Sequence, residues 1–510
     1  MLGPRGQAGS LHLSSSSLRR KWKWKGKGSA LAFVLLLVSA AWLLVVFSRN
    51  CCPAHPDPDD MYGWYRVPHL NPNFSDWQRH GPNRPTLLPL TAGSNANLSL
   101  HNIVFCVAAS AKLWPMRKEI VKLWWREGQM RGFVWLEEPA RHDPAEHLPM
   151  VMVSEDVARL RYGRAMTHHT GVRISRIVLE TFRLNMPDVH WFVLADDDTI
   201  FSTDNLVRVL SKYDPSQFHY IGGSSESHQQ NLAFSYGMAF GGGGVAISYA
   251  LAAALVGMQD ECLEHYPELH GSDDRLHACI CELGVPLTRE LGFHQCDIRG
   301  NPLGLLGSHP IAPFVSLHHV DVMDPVFPGL AAHKGLQLLS KAMQMEPGSF
   351  LQQSFCYNQK QGFSFSVSIG YVVQVFPEIL YPQNLQRAQV TFQAWNRKAG
   401  RREFDLDTRL SKSICWQPYL FYLDGIEAKK GDSAVITNYS RYGDIDERKK
   451  FWWCHYFPRE KVITIRVTSQ RLPWSWYQVP RRQCCSVTGL KDKVLDMKVG
   501  PCQPGEVIVP

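Results

Sequence analysis

The chain has 510 residues, enough for two to four domains of about 100 to 200 residues each, so size does not limit its core. Apolar content of 45% with 20% charged residues is ordinary for a globular chain. The net charge of +8 is largely local: Arg19, Arg20, Lys21, Lys23, Lys25 and Lys27 form one short block, which argues against a nucleic-acid surface.

Directly after that block, Ala30 to Phe47 runs for 18 positions without a charge, roughly 27 Å of helix. With the basic side first, the positive-inside rule predicts a type II signal anchor. Residues 1–28 are then a cytosolic tail, 29–47 a single transmembrane helix, and everything after about residue 48 lumenal. A cleaved signal peptide, with Ser39, Ala40 and Ala41 at its cleavage region, is the rival reading. All 13 cysteines lie beyond the run, where disulfides are allowed, and their pairing is not readable. Cys51 and Cys52 follow the run directly, and an intermolecular bridge there would tether a homodimer; two unrelated thiols are the plainer reading. Sequons at Asn73, Asn97 and Asn438 suit a lumenal chain.

Residues 48–100, rich in Pro, Asn, His and Ser, read as an extended stem. Regular structure is expected from His101: a buried strand in HNIVFCVAAS, a helix through Met116 to Arg126, and strands in Gly132 to Glu138 and Leu148 to Glu155. A helix over Gly171 to Leu184 precedes the strand HWFVLADDDTI, which begins at His190. A helix from Asp204 to Tyr213, a strand near Tyr220, and AFGGGGVAISYALAAALVG, read as four glycines before an apolar helix, continue the alternation. Such alternation predicts a mostly parallel sheet with helices on both faces. After about residue 345 the chain turns strand-rich and aromatic, with runs at Phe363 to Pro377, Gln389 to Trp395, Phe421 to Ile426, Ser433 to Ser440 and Lys461 to Ser469. These predict a β domain over 346–510 behind an α/β domain over 101–345.

Four clusters carry chemistry. An apolar strand that ends in Asp196, Asp197 and Asp198 needs water or a hard cation at its tip, and strand ends are where open α/β sheets bind ligands. A solvated acidic turn capped by Ser202 or Thr203 is the plain alternative. Gly241, Gly242, Gly243 and Gly244 let the backbone approach a ligand closely, or form a hinge; their spacing is neither the dinucleotide nor the P-loop pattern. Asp273 and Asp274 open a helix-compatible stretch, where one is a cap and the other is available as a general base. His318 and His319 end a further apolar stretch, and on a strand the two would face opposite ways.

DDD, GGGG, DD and HH, in this order and at these separations, resemble the fringe-type glycosyltransferases, nucleotide-sugar transferases of the GT-A fold, over roughly residues 100 to 325. Longer blocks, including AASAKLW, KLWW, GSDDRLHACI, QSFCYNQKQGFSFSVSIGYVVQVFP and VPRRQCC, resemble the plant fringe-related proteins and extend the resemblance over most of the lumenal chain. The resemblance implies a Golgi enzyme that moves a hexose or N-acetylhexosamine from a UDP-sugar to a glycan or glycoprotein hydroxyl with inversion, through a β1,3 linkage. It implies Mn2+ held by Asp198 and His319, with His318 the fallback ligand. Asp197 then faces the ribose, Asp196 holds the strand end on the donor side, and Gly241 to Gly244 approach the sugar. Asp274 becomes the catalytic base, with Asp273 behind it. Two departures stand: Gly243 replaces the family's usual alanine, and the spacing from Asp274 to His319 is longer than in animal members. The alternatives are a glycan-binding protein on a degenerate transferase scaffold and a nucleotide-sugar hydrolase.

Overall fold

A computed structural model describes residues 98–510 apart from 142, 161–165, 397–402, 411, 429–433, 444–449 and 458–459. The basic tail, the apolar run, the stem, Cys51, Cys52, Asn73 and Asn97 lie outside the described residues. Among the described residues no helix is long and apolar enough to cross a membrane.

The mixed α/β part is organised by short, largely apolar strands. β1 (Ile103–Ala108), β2 (Arg131–Leu136), β3 (Met150–Val153) and β4 (Trp191–Asp196) pair in parallel. After a two-residue strand, β5 (Ile200–Phe201), come β6 (Tyr220–Gly222), β7 (Val245–Ser248) and β8 (Leu287–Arg289). They complete a seven-stranded sheet in the order β3-β2-β1-β4-β7-β6-β8. The sheet is parallel, as expected, except at β7, which runs against both β4 and β6. β7 itself was not foreseen. Its four residues, all buried, merge in sequence with the apolar helix Tyr249–His265, and periodicity cannot separate so short a buried strand from a helix.

Because strand side chains alternate, the sheet buries two different cores. Val104, Cys106, Phe192 and Leu194 face the helices Ile177–Arg183, Tyr249–His265 and Ser272–Glu282. Ile103, Phe105, Val107, Trp191 and Val193 face the other way, against Trp114 and Val121 of the helix Trp114–Val121, Leu206 and Val209 of Thr203–Leu210, and Leu336 and Leu339 of Ala332–Met345. That second core continues into the C-terminal half without a break.

Between the halves, β9 (Phe293–His294) and β11 (Ser316–Leu317) form a small sheet with β5, while β10 (Ile298–Gly300) lies apart. The β-rich half opens with β12 (Gln353–Asn358), β13 (Phe363–Ser368) and β14 (Val372–Phe376); the expected single run at Phe363 to Pro377 is a hairpin turned at Gly370, where φ is +80°. β15 (Ala388–Gln389), β16 (Phe392–Ala394) and β17 (Thr408–Arg409) form two short pairs outside the barrel, β16 with β10 and β15 with β17. β18 (Tyr419–Ala428), β19 (Ala434–Arg441), β20 (Thr464–Gln470), β21 (Cys484–Lys491) and β22 (Val494–Gly500) then close an eight-stranded barrel. Closure leaves no free sheet edge to aggregate. Phe365, Val367, Phe421, Val435 and Val467 fill it and belong to the second core, the one on the face of Ile103, Phe105 and Val107, which is the front face of the sheet.

Among the described residues four disulfides form: Cys262–Cys279, Cys356–Cys485, Cys415–Cys454 and Cys484–Cys502. Cys356–Cys485 sits at the seam where β12 meets β21 through Phe355 and Cys484. Among the described residues Cys106, Cys281 and Cys296 are free. Cys262–Cys279 joins the two helices behind the sheet across 17 residues. A Cys262→Ser, Cys279→Ser double variant should therefore lose about 3 kcal/mol of stability, the loop-closure entropy of a ~15-residue loop, read as a lower denaturation midpoint in urea.

Candidate functional site

β4 is apolar through Ala195 and ends at Asp196, whose neighbour in β1 is Ala108. A tight turn follows, closed by the Thr199 N–H on the Asp196 carbonyl at 3.2 Å. Asp196 remains half-buried, whereas Asp197 and Asp198 are folded inward and buried. β5 then pairs antiparallel with β11, Ile200 opposite Leu317. One step further along that register puts His318 across from Thr199 and beside Asp198.

His318 Nε2 lies 3.1 Å from Asp198 Oδ1 and 3.5 Å from Asp196 Oδ2. Candidate ligand atoms of Asp196, Asp198 and His318 all lie within 4.8 Å of one another. Asp198 Oδ1 is buried without a well-directed hydrogen bond. Two carboxylates and one imidazole form a fitting donor set for a divalent cation of the Mg2+ or Mn2+ kind, and Asp198 Oδ1 is the atom such an ion would satisfy. His319 is placed differently from the expectation that made it the second ligand. Its backbone takes φ +54°, its Nδ1 lies 3.3 Å from Asp297, and its ring is stacked between His318 at 3.8 Å and Trp395 at 4.3 Å. Arg299 caps that stack 4.5 Å above Trp395.

The sequence reading missed the main counter-charge. Arg117, on the helix Trp114–Val121, donates to Asp197 Oδ1 at 2.9 Å, lies 3.2 Å from Asp198 Oδ2 and donates to Asp321 Oδ2 at 2.9 Å. Burial pushes Asp197 up to about 6 against the pull of Arg117. Burial would raise Asp198 too, but the contact with His318 and the charges of His318 and Arg117 outweigh it and hold that carboxyl below the usual range. In return His318, which burial alone would lower, is raised to about 9 by Asp198 and Asp196.

The four glycines join these pieces. The Gly242 carbonyl accepts from Thr199 Oγ1 at 2.7 Å, the Gly243 N–H donates to Gln295 Oε1 at 2.7 Å, and Ser316 Oγ donates to the Gly243 carbonyl. The Gly241 N–H donates to Asp273 Oδ2 at 2.8 Å. A Cβ on Gly242 would sit 2.2 Å from His318 Cε1, and one on Gly241 would sit 2.5 Å from Asp273 Oδ1. The close approach predicted for this run is thus, on the Cα side, an approach to the protein's own His318 and Asp273.

Asp273 and Asp274 both lie in the first turn of the helix Ser272–Glu282. Asp273 accepts from Gly241 with one oxygen and from Ser272 Oγ at 3.0 Å with the other, and it feels the charge of His318. Asp274, the third residue of the helix, accepts from the Arg275 N–H at 2.8 Å, and the N-cap is Gly271, so neither aspartate is the cap that was expected of one of them. Burial raises both carboxyls. Asn438 sits mid-strand in β19, half-buried, between Gly425 and Arg466 of the flanking strands.

Comparison with known proteins adds the following. The family described as "Protein of unknown function, DUF604" matches residues 230–485, and the family described as "Fringe-like" matches residues 98–300. A beta-1,3-glucosyltransferase of Homo sapiens is 31% identical over 151 residues, 29% of this chain and 28% of that protein. The beta-1,3-glucosyltransferase of Mus musculus is 33% identical over 139 residues, 27% of each chain. The chain thus spans under a third of the length of these relatives. Among solved structures, the galactosyltransferase LgtC in complex with donor and acceptor sugar analogues is 13% identical, with 46% of this chain and 95% of that chain covered at a TM-score of 0.30. A mannosyltransferase from Pyrobaculum calidifontis in complex with GDP-Man and Mn2+ is 12% identical, with 50% and 72% covered at 0.23. Likenesses of that size carry no argument about this chain.

The geometry of the glycine run yields a paired prediction. Gly242→Ala should displace His318, destabilise the protein by about 1–3 kcal/mol through overpacking and weaken binding of a divalent cation, with Mn2+ as the probe, at least tenfold in a calorimetric titration. Gly257→Ala, where an added Cβ meets nothing within 4 Å on a helix, should instead raise the melting temperature slightly and leave Mn2+ binding unchanged, since alanine is favoured over glycine there by ~1 kcal/mol.

Proposed function

From the premise that the chain belongs to the DUF604 family and carries a fringe-like domain, we propose that it is a GT-A glycosyltransferase that moves a hexose or N-acetylhexosamine from a UDP-sugar to a hydroxyl of a glycan or glycoprotein. The observation that carries this reading is the convergence of Asp196, Asp198 and His318 at the carboxyl end of β4. Asp198 and His318, with Asp196 beside them, would hold Mn2+; bound there, it would neutralise charge on a departing diphosphate. His318 takes the ligand role in this reading, ahead of His319, because its Nε2 meets Asp198.

Inversion requires a base on the face of the sugar opposite the leaving group, and no protein nucleophile. Both oxygens of Asp273 are engaged in fixing Gly241 and Ser272, so Asp273 is a positioning residue. Asp274, the second of the pair, takes the base role in this reading because the family resemblance implies it, and accepts the proton from the acceptor hydroxyl. Arg117 holds the paired aspartates and stands where it can meet donor phosphate oxygens once a cation relieves it of Asp198. A β1,3 linkage agrees with the beta-1,3-glucosyltransferases of human and mouse. A Golgi, type II placement through residues 29–47 belongs to the same reading and rests on the charge pattern of the N-terminal region.

Purified protein incubated with a panel of UDP-sugars, glycan acceptors and Mn2+ tests this. Transfer from at least one donor is expected, with kcat reduced by about 10³-fold or more in Asp198→Ala and Asp274→Asn, in the range known for loss of an electrostatic or acid–base group. Transfer that is indifferent to chelation with EDTA would remove the metal role, and full activity in Asp274→Asn with loss in Asp273→Asn would move the base to Asp273. UDP release that no acceptor stimulates would favour the hydrolase, and donor binding without turnover the glycan-binding scaffold.

A further inference from the structure

To serve as a ligand beside Asp196 and Asp198, His318 must hold its ring in one orientation, because the lone pair of Nε2 lies in the ring plane. Its Nδ1 lies 3.3 Å from the Gln295 carbonyl, which can only accept, so in the neutral ring Nδ1 carries the proton and Nε2 is left free toward Asp198. One hydrogen bond of that length fixes an edge of the ring and leaves its tilt open. The tilt is set at the two faces. A Cβ on Gly242 would lie 2.2 to 2.6 Å from Cε1, Nδ1 and Nε2 at once, which puts Gly242 over one face and not at the edge. The His319 ring takes the other face, 3.8 Å away with 30° between the planes.

His319 does not stand there unaided. Its φ of +54° is uncommon for a residue with a Cβ and persists where surrounding contacts hold it. Asp297 supplies one contact at the ring edge, 3.3 Å from Nδ1. Trp395 supplies the other, nearly parallel to the imidazole at 4.3 Å and 18°.

Trp395 belongs to the β-rich half, and its placement is secured on both sides of β16. Thr391 Oγ1 donates to the Asn301 carbonyl at 2.9 Å and accepts from the Gly304 N–H at 2.9 Å, and Asn396 Nδ2 donates to Gln229 at 2.9 Å. β16 pairs antiparallel with β10, Ile298 opposite Ala394, so one step further along that register Trp395 stands across from Asp297. Arg299 Nε donates to the Trp395 carbonyl at 3.0 Å, and its guanidinium lies 4.5 Å over the indole. The indole is half-buried and joins none of the apolar cores among the described residues. An indole kept for stability alone would be expected in one of them; this one meets an imidazole and a guanidinium instead.

We propose that Trp395 is a positioning residue for the cation site: through His319 it holds the His318 ring against Gly242. The β-rich half thereby completes a site whose ligands, Asp196, Asp198 and His318, all lie in the α/β half. This deepens the transferase reading and rests on it for the role of His318 as a ligand.

The test is titration of the full-length protein with Mn2+, without donor, followed by the electron paramagnetic resonance signal of the free ion. Trp395→Ala and Trp395→Leu should each weaken binding about tenfold or more, and Trp395→Phe, which keeps a flat ring, should stay within about threefold of wild type, as for a group that orients a metal-bound histidine. In a His319→Ala background Trp395→Ala should change the affinity no further, since both act through one stack. Val467→Ala, which leaves a cavity in the barrel core, should lower the melting temperature and leave Mn2+ affinity as in wild type. Should Trp395→Ala fail to fold, Trp395→Leu decides in its place. Wild-type affinity in Trp395→Leu, equal losses in Trp395→Phe and Trp395→Leu, additive losses with His319→Ala, or a loss in Val467→Ala as large as in Trp395→Leu would each overturn the proposal. Binding lost in His318→Ala yet intact in Trp395→Leu leaves the ligand role of His318 standing and removes only that of Trp395; no Mn2+ binding to wild type, or binding indifferent to His318→Ala, removes both.

Discussion

Two adjacent buried carboxylates with a third at their side repel one another strongly where little water reaches, and they stay folded inward only because cations meet them. Arg117 comes from the first helix and His318 from the last strand before the barrel, and between them they face all three aspartates. Much of the surrounding architecture follows from delivering those two groups. The helix Trp114–Val121 buries Trp114 and Val121 in the front core, which fixes where Arg117 emerges. β5 and β11, only two residues each, exist as a register that sets His318 against Asp198. Removal of either cation alone would leave an uncompensated buried charge, so the site is a unit rather than a collection of contacts.

The glycine run is the second half of the same arrangement. It has no side chain to give, yet its backbone ties Thr199 of the aspartate turn, Gln295 and Ser316 of the small sheet, and Asp273 of the helix Ser272–Glu282. Four segments distant in sequence meet there because no Cβ stands between them. Asp273 and His318 press on neighbouring glycines, so a carboxylate and an imidazole from distant segments are held in register by a stretch with no side chains of its own.

How far this was legible in the sequence depends on range. The end of β4, the glycines, the acidic pair and the histidines were visible because each is a local break in an apolar pattern, and their convergence followed from the family resemblance. Arg117 gave no such signal: it lies 80 positions from Asp197 in an ordinary amphipathic stretch, and only packing brings them together. The choice between His318 and His319 was likewise hidden. Alternation on a strand would send the two opposite ways, but His319 adopts a left-handed backbone and stacks on its neighbour instead. β12, β21 and β22 escaped notice because barrel strands with mixed polar residues lack a long apolar run, and the four disulfide pairings are set by spatial neighbours, not by spacing.

The shared core has a consequence for the order of events during synthesis. All seven strands of the sheet have been made once Arg289 emerges, and the helices behind it can pack at once, with Cys262 and Cys279 already present. The front face has only part of its cover by then, from the helices Trp114–Val121 and Thr203–Leu210. Phe365, Phe421, Val467 and their neighbours come later, and the barrel seam waits for Cys485 to reach Cys356, 129 residues back along the chain. For that interval the part of the front core that the helix Ala332–Met345 and the barrel will cover stands open to solvent, the condition in which nascent chains aggregate. Completion of the fold therefore waits on the last part of the chain, where three of the described disulfides close.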